Sequence, residues 1–348
     1  MRFNTPLRYP GGKGKLTGYF EEIVKANGLE GGTYIEPFAG GAGTAINLLS
    51  SGVAGDVVIN DADPSIFAFW KAITEHTEPF LERLDSIEIS VDEWMRQREI
   101  QERKNTAGLF ELGFSTFYLN RTNRSGIIGG GLIGGQKQDG KYRMDARFNK
   151  KDLCGRIESI GKMTDSIRVT GLDAKYFLEH TLKEYDRDST LVYIDPPYFN
   201  KGSLLYMNYY TGKDHCELAD TVRSLDHDWV LSYDDAPEIR HLYSWCEPVK
   251  FNVSYSSYIA AVGREIFFHS DGLIRPEVDR KIGTLSPATY VAGTYQGDSH
   301  MNEITRIPCK GNVLDIAEVD TFIKCNIDDK RNAMGAFTDA VDGARSED

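Results

Sequence analysis

No apolar stretch in the 348 residues approaches the ~20 that a membrane-spanning helix requires, so a helical membrane protein is excluded. The opening residues Met1-Arg2-Phe3-Asn4 lack the apolar core and small-residue cleavage site of a signal peptide, and the expected compartment is the cytoplasm. Cysteine is scarce. Cys154, Cys216, Cys246, Cys309 and Cys325 are odd in number, widely scattered and without a Cys-x-x-Cys spacing, which argues against a disulfide framework and against a zinc ribbon. His215 beside Cys216, and His227 between Asp226 and Asp228, complete no ligand set, so no metal is expected. A Gly-Lys-Ser/Thr phosphate loop is missing, and so are internal repeats and low-complexity linkers.

The net charge of -12 argues at first against a polyanionic partner, but it is unevenly spread. Between Arg96 and Lys151 there are 12 Lys/Arg against 5 Asp/Glu, a basic segment on an acidic body. Phosphate contacts depend on local potential, because charges beyond a Debye length of ~10 Å contribute little. A solvated helix and loop surface would also account for that composition.

Short apolar runs alternate with amphipathic stretches: Thr33 to Glu36, a helix-like Ala42 to Ser50, then Asp56 to Asn60. The alternation resumes at Ile167 to Thr170, Leu191 to Ile194 and Trp229 to Ser232. This pattern predicts an α/β fold with a mostly parallel, doubly wound, Rossmann-like sheet. Residues 64–162 read differently, with helical periodicity followed by the glycine-dense Gly126 to Gly135. They are expected to form an inserted, mainly helical subdomain whose glycine-rich loop is hairpin-like and lets the backbone approach a ligand; a merely flexible loop is the plainer alternative. The expected division is 1–63 with 163–270 as one domain, 64–162 as the insert, and 271–348 as an extension without a placed motif.

Asp195-Pro196-Pro197-Tyr198 directly follows the Leu191 to Ile194 strand pattern. That is the carboxyl end of a strand, the edge where open α/β sheets bind ligands. An exocyclic base amine is a poor nucleophile, because its lone pair is delocalised into the ring. The Asp195 carboxylate and the Pro196 carbonyl could accept its two N–H hydrogens, free the lone pair and stabilise the positive charge that grows on nitrogen during attack. Tyr198 would stack on the base. A second motif, Ile35-Glu36-Pro37-Phe38-Ala39-Gly40-Gly41-Ala42-Gly43, runs from a strand through glycines into a helix. Asp61, at the end of the next strand pattern, stands where an acid commonly binds ribose hydroxyls, with Asp63 as the alternative.

With Arg8-Tyr9-Pro10-Gly11-Gly12-Lys13, these segments resemble the Dam-like family of DNA N6-adenine methyltransferases in motif identity and order, from about Thr5 to His269. The resemblance implies a site-specific adenine N6-methyltransferase using S-adenosylmethionine on a flipped adenine in double-stranded DNA. It assigns Tyr9, Gly12, Lys13, Glu36, Phe38, Gly40, Gly41, Asp61, Asp173 and Asp195 to the cofactor, and Asp195, Pro196, Pro197 and Tyr198 to methyl transfer. Phe117-Tyr118-Leu119-Asn120-Arg121 matches the family's Leu-Asn-Arg segment, and Asn120, Arg121 and Arg124 are expected to touch DNA, with Lys137, Lys141 and Arg143 on phosphates. Arg121 could instead be paired inside the insert. Thr122 to Gly126 departs from the aromatic-rich stretch of the best-known members, which leaves the target sequence open; a partner restriction enzyme is a further possibility of the resemblance. Cytosine N4-methylation, which more often uses serine in place of Asp195, and an idle DNA-binding scaffold are the alternatives.

Overall fold

The computed structural model describes residues 5–8, 13–199, 210–254, 262–276 and 290–291. Its centre is a seven-stranded sheet: β1 (Thr33–Glu36), β2 (Asp56–Asn60), β3 (Ile167–Thr170), β4 (Thr190–Ile194), β5 (Asp228–Asp234), β6 (Val249–Ser254) and β7 (Val262–His269). The spatial order is β3-β2-β1-β4-β5-β7-β6. The first five are mutually parallel, whereas β7 runs antiparallel to both β5 and β6. Parallel strands covered on both faces read as continuous apolar runs, and all five residues of β4 are buried. The alternation of side chains sorts the strands into two cores. Tyr34, Val57, Leu191 and Tyr193 join one apolar cluster, while Ile35, Val58, Val192 and Ile194 join the other.

The first core also contains α1 (Thr17–Ala26), α2 (Gly43–Ser50), α3 (Pro64–Glu75), α4 (Thr77–Ser86), α6 (Leu109–Thr122) and α7 (Lys150–Gly161), with α5 (Val91–Glu102) packed through Trp94. Residues 64–162 are thus mainly helical, and their apolar side chains share one cluster with a face of the sheet. Local chemistry starts the helices. The Asp63 side chain caps α3 by accepting from Ser65 N at 2.9 Å, with Pro64 in the first turn, and Ser90 caps α5 by accepting from Glu93 N at 3.2 Å. Phe69, Phe80, Phe114 and Phe117 interlock at centroid separations of 5.1–6.2 Å between α3, α4 and α6.

After α6 the chain turns back on itself. An antiparallel bridge pairs Asn123 with Leu132, and Arg124 N donates to Gly131 O at 2.9 Å, so the glycine-rich stretch does close like a hairpin. The backbone it approaches belongs to the protein. A Cβ on Gly126, whose φ is +78°, would lie 2.3 Å from the carbonyl oxygen of Arg8.

Candidate active site

The strand order reverses direction between β1 and β4, which makes their carboxyl ends the switch point of the sheet. Glu36-Pro37-Phe38 leaves β1 there, and Asp195-Pro196-Pro197-Tyr198 leaves β4 beside it. The Asp195 carboxylate accepts from Ser232 Oγ of β5 at 2.5 Å, and both of its oxygens lie 2.9 Å from Lys13 Nζ. Ser232 Oγ is also 2.8 Å from Tyr193 OH. Lys13 is fixed from behind, since its carbonyl accepts from Thr44 Oγ1 of α2 at 3.1 Å. Its ammonium donates to Tyr198 OH at 2.6 Å, and Tyr198 OH donates in turn to Glu265 Oε1 of β7 at 2.5 Å. Glu265 Oε1 is 3.7 Å from Lys13 Nζ. Pro196 is buried and Pro197 half-buried. Tyr198 is 6% exposed and packed within the second core, so a base can stack on its ring only after the ring is uncovered.

The glycine turn after β1 is held by acids. Asp61 accepts from Gly40 N at 2.8 Å and from Asp63 N at 2.9 Å, and burial pushes its carboxyl up to about 7 against those two bonds. Asp63, the alternative ribose ligand, is spent on capping α3. Gly41 O accepts from Thr5 Oγ1 at 2.5 Å. Ala42 takes a left-handed conformation with φ 41° and ψ 38°, so the residue that interrupts the glycine run follows a backbone glycine would favour. Trp70 Nε1, from α3, donates to Gly40 O at 2.9 Å. Glu36 is buried, and its Oε1 accepts from Ala45 N at 3.1 Å. Burial pushes its carboxyl up to about 8, with the Asp195 charge adding to the rise and the Ala45 bond and Lys13 opposing it. Phe38 meets Tyr210 edge-on at 5.7 Å between centroids. Asp173 caps the helical turn after β3 by accepting from Tyr176 N at 3.0 Å, and its charge, after burial, raises the Tyr210 hydroxyl. Tyr9 and Gly12 lie outside the described residues.

The residues singled out for DNA are divided. Asn120 is 1% exposed and fully engaged: its Oδ1 accepts from Arg8 N at 2.7 Å, and its Nδ2 donates to Arg8 O at 2.7 Å and Gly126 O at 2.8 Å. It is a tie between α6, the glycine-rich loop and the N-terminal segment, with both amide N–H donors already used and the side chain buried away from any base edge. Arg121 is half-buried, and its Nε has no hydrogen-bond partner among the described residues. Burial first, then the charges of Arg8, Arg156 and Arg147, push its guanidinium down to about 9 against the pull of Asp152. Arg124, Lys137, Lys141 and Arg143 are exposed. Tyr142, 63% exposed, lies under the Lys141 ammonium at 5.7 Å.

Four residues of this geometry escaped the sequence reading. Ser232 and Glu265 sit inside ordinary-looking strands, and Tyr210 and Asn123 carry no local motif. The buried Asn123 amide shapes the glycine-rich loop through Ile127 O at 3.0 Å and Ile128 O at 2.8 Å, while its Oδ1 accepts from Trp94 Nε1 at 2.6 Å.

The family profile described as D12 class N6 adenine-specific DNA methyltransferase matches residues 9–256, which spans the switch point, both motifs and helices α3 to α7. The chain belongs to this family. As a D12 class enzyme it methylates adenine N6 in DNA, which sets aside cytosine as the target and an idle scaffold as the function, and it uses a methyl donor. A comparison with curated proteins finds no match. Among the described residues of this methyltransferase, no helix is long and apolar enough to cross a membrane, and no group of three or more His, Cys, Asp or Glu is placed to hold a metal ion.

Proposed function

We propose that this D12 class enzyme takes its methyl group from S-adenosylmethionine and delivers it to an adenine swung out of duplex DNA, with Asp195 and the Pro196 carbonyl as acceptors for the amine hydrogens. The carrying observation is Asp195 at the switch point, held by Ser232 and Lys13 at 2.5–2.9 Å. The cofactor supplies an electrophilic methyl on a sulfonium cation. The residues around the glycine turn suit such a ligand: Glu36 and Asp61 are carboxyls that burial holds up and that a cation or hydroxyl donors would relieve, while Phe38, Asp173 and Tyr210 stand together for an adenine. Lys13, Gly40 and Gly41 complete the wall, and Tyr9 and Gly12 join the same assignment from sequence. During attack, the carboxylate of Asp195 faces the charge growing on N6. An amine paired inside the stack cannot reach that site, so the base has to be extruded.

The test is incubation with methyl-labelled S-adenosylmethionine and a random-sequence duplex pool, followed by modification-aware sequencing. Label on adenine N6 in one sequence context supports the reading. Label on another base, or none, overturns it. A rise in 2-aminopurine fluorescence at the target position on binding checks the extrusion.

Residues 64–162 are proposed as the recognition subdomain, with Arg121, Arg124, Lys137, Lys141 and Arg143 on DNA and Asn120 acting behind them. The crowding of Arg121 by Arg8, Arg147 and Arg156 is what an arriving phosphate would relieve. Lys137→Ala and Lys141→Ala are each expected to weaken binding to all duplexes alike and to reduce the salt slope by about one, whereas Arg124→Ala is expected to relax preference at one base position by about 1–3 kcal/mol. Fluorescence anisotropy against salt and sequence reads both; no change in any variant would assign these charges to surface solvation. A nucleoid location and a partner restriction enzyme remain extensions of this reading.

Glu36 adds a pH dependence. Its folded-state carboxyl is raised to about 8, so above the ordinary carboxyl range the native state holds a proton that the unfolded chain has lost. Its contribution to stability is therefore complete below about pH 4 and is lost as pH rises through about 8. Urea unfolding of the ligand-free protein is expected to show this decline, and Glu36→Gln, which keeps an acceptor for Ala45 N, should lessen it. A cation beside Glu36 displaces that proton. Cofactor affinity should accordingly rise between about pH 6 and 7.5, by at most about tenfold per unit, and less steeply in Glu36→Gln.

A further inference from the structure

Glu265 has no role in the reading above, yet it is 1% exposed and stands on β7 opposite Asp234, beside the reaction site. Its Oε1 accepts from Tyr198 OH, while its Oε2 is buried without a hydrogen-bond partner among the described residues. A bare carboxylate oxygen inside a protein is costly unless some state of the molecule uses it. Burial accordingly raises the Glu265 carboxyl, and the nearby Lys13 charge is the largest influence pulling it back.

Asp195 is in the opposite condition. Lys13 Nζ sits 2.9 Å from both of its oxygens and cancels its charge, and Ser232 Oγ takes a further lone pair on Oδ1. So held, Asp195 has little negative charge to offer a nitrogen that is becoming positive. The ammonium already lies 3.7 Å from Glu265 Oε1, so a movement of about 1 Å brings it within ordinary hydrogen-bond reach. Tyr198 OH, bonded to Lys13 at 2.6 Å and to Glu265 at 2.5 Å, lies between the two positions and can stay in contact with the ammonium in each.

We propose that Glu265 is a positioning residue that receives the Lys13 ammonium when the adenine amine engages Asp195, and so releases the Asp195 charge for methyl transfer. The proposal rests on the reading of Asp195 as the acceptor for the amine. No bond is made or broken in this step: the lysine exchanges one carboxylate for another while the amine takes its place. It gives Lys13 two functions in sequence, guarding Asp195 in the ligand-free enzyme and pairing with Glu265 in the loaded one.

The test is a double-mutant cycle on single-turnover methylation at saturating cofactor and duplex. Glu265→Gln is expected to slow the step by about tenfold to hundredfold while cofactor and DNA dissociation constants stay within about threefold. In a Lys13→Met background the same substitution should change the rate by less than about twofold, because no ammonium remains to be relocated. Equal losses from Glu265→Gln in both backgrounds would assign Glu265 to holding Tyr198 alone and overturn the proposal, as would a native rate in Glu265→Gln. A structure of the native enzyme with S-adenosylhomocysteine and a target duplex reads the same point without any variant: Lys13 Nζ should lie on Glu265, and finding it still on both Asp195 oxygens refutes the relocation. Asp195→Ala is run alongside. If that variant turns over normally the reading of Asp195 itself has failed, whereas a dead Asp195→Ala beside an unaffected Glu265→Gln refutes only the relocation.

Discussion

Asp195→Ala is expected to lower single-turnover methyl transfer by about three orders of magnitude or more, while the duplex still binds. The expectation follows from what the side chain is placed to do. It is the acidic group of the motif that follows β4, supported by Ser232 and Lys13. Removing one preorganised electrostatic contact typically costs about 10²–10³ in rate. Here the loss also leaves the amine with a single acceptor and takes away the two oxygens that lie 2.9 Å from the Lys13 ammonium. Glu265, 3.7 Å away, still stands beside that ammonium, which limits the damage to the fold. Asp195→Asn should be nearly as slow, because the amide carries no charge and can turn a donor toward the amine. Quenched-flow measurement of methyl incorporation checks the rate, and urea unfolding checks the fold. A rate within about tenfold of native would refute the acceptor role.

The second large effect is on stability. Asn120→Ala is expected to destabilise the protein by about 2–4 kcal/mol, since it deletes three hydrogen bonds in a site with 1% exposure and strands the backbone groups of Arg8 and Gly126. Asn120→Asp should be worse than its size suggests, because two carbonyl oxygens would then face a carboxylate where they now accept from Nδ2. A residue that reads DNA would behave otherwise, with unchanged unfolding and relaxed sequence preference. Unfolding by urea, read beside specificity on variant duplexes, separates the two roles.

The inner strands β1 and β2 were legible because burial on both faces leaves little room for polar residues in their middles, and the edge strand β3 because Ile167 and Val169 alternate with an exposed Arg168; all three begin and end where the sequence pattern does. The Asp-Pro-Pro-Tyr and glycine segments were legible because their chemistry is contiguous in sequence. The remainder of the site is built from separation. Lys13 and Asp195 are 182 positions apart, and Tyr198 and Glu265 are 67 apart, so only the strand order brings them together. Glu265 lies in β7, a strand that the sequence pattern did not mark and that carries no motif. Asn120 shows the opposite limit. Its residue type and neighbourhood pointed to DNA contact, but whether an amide turns outward or inward is decided by the return of the chain at Gly126, which no local spacing reveals. Arg121 is intermediate, its charge visible in the sequence and its crowding by three other arginines visible only in space.

The hydrogen bond from Trp70 Nε1 to Gly40 O has a bearing on engineering. It joins α3 to the turn that follows β1, while Asp63, which caps α3, donates its backbone N–H to the Asp61 carboxylate. A chimera meant to exchange sequence preference between relatives would ordinarily be cut where the sheet gives way to helices, at residue 64. Such a cut would replace the indole that steadies the glycine turn along with the helices that follow it. A transplant that begins at Thr77 instead leaves α3 with its own sheet, and the grafted helices then have to match the aromatic seam of Phe69, the Ser65 hydrogen bond to Gln101 and the close approach of Gly113 to Ala68.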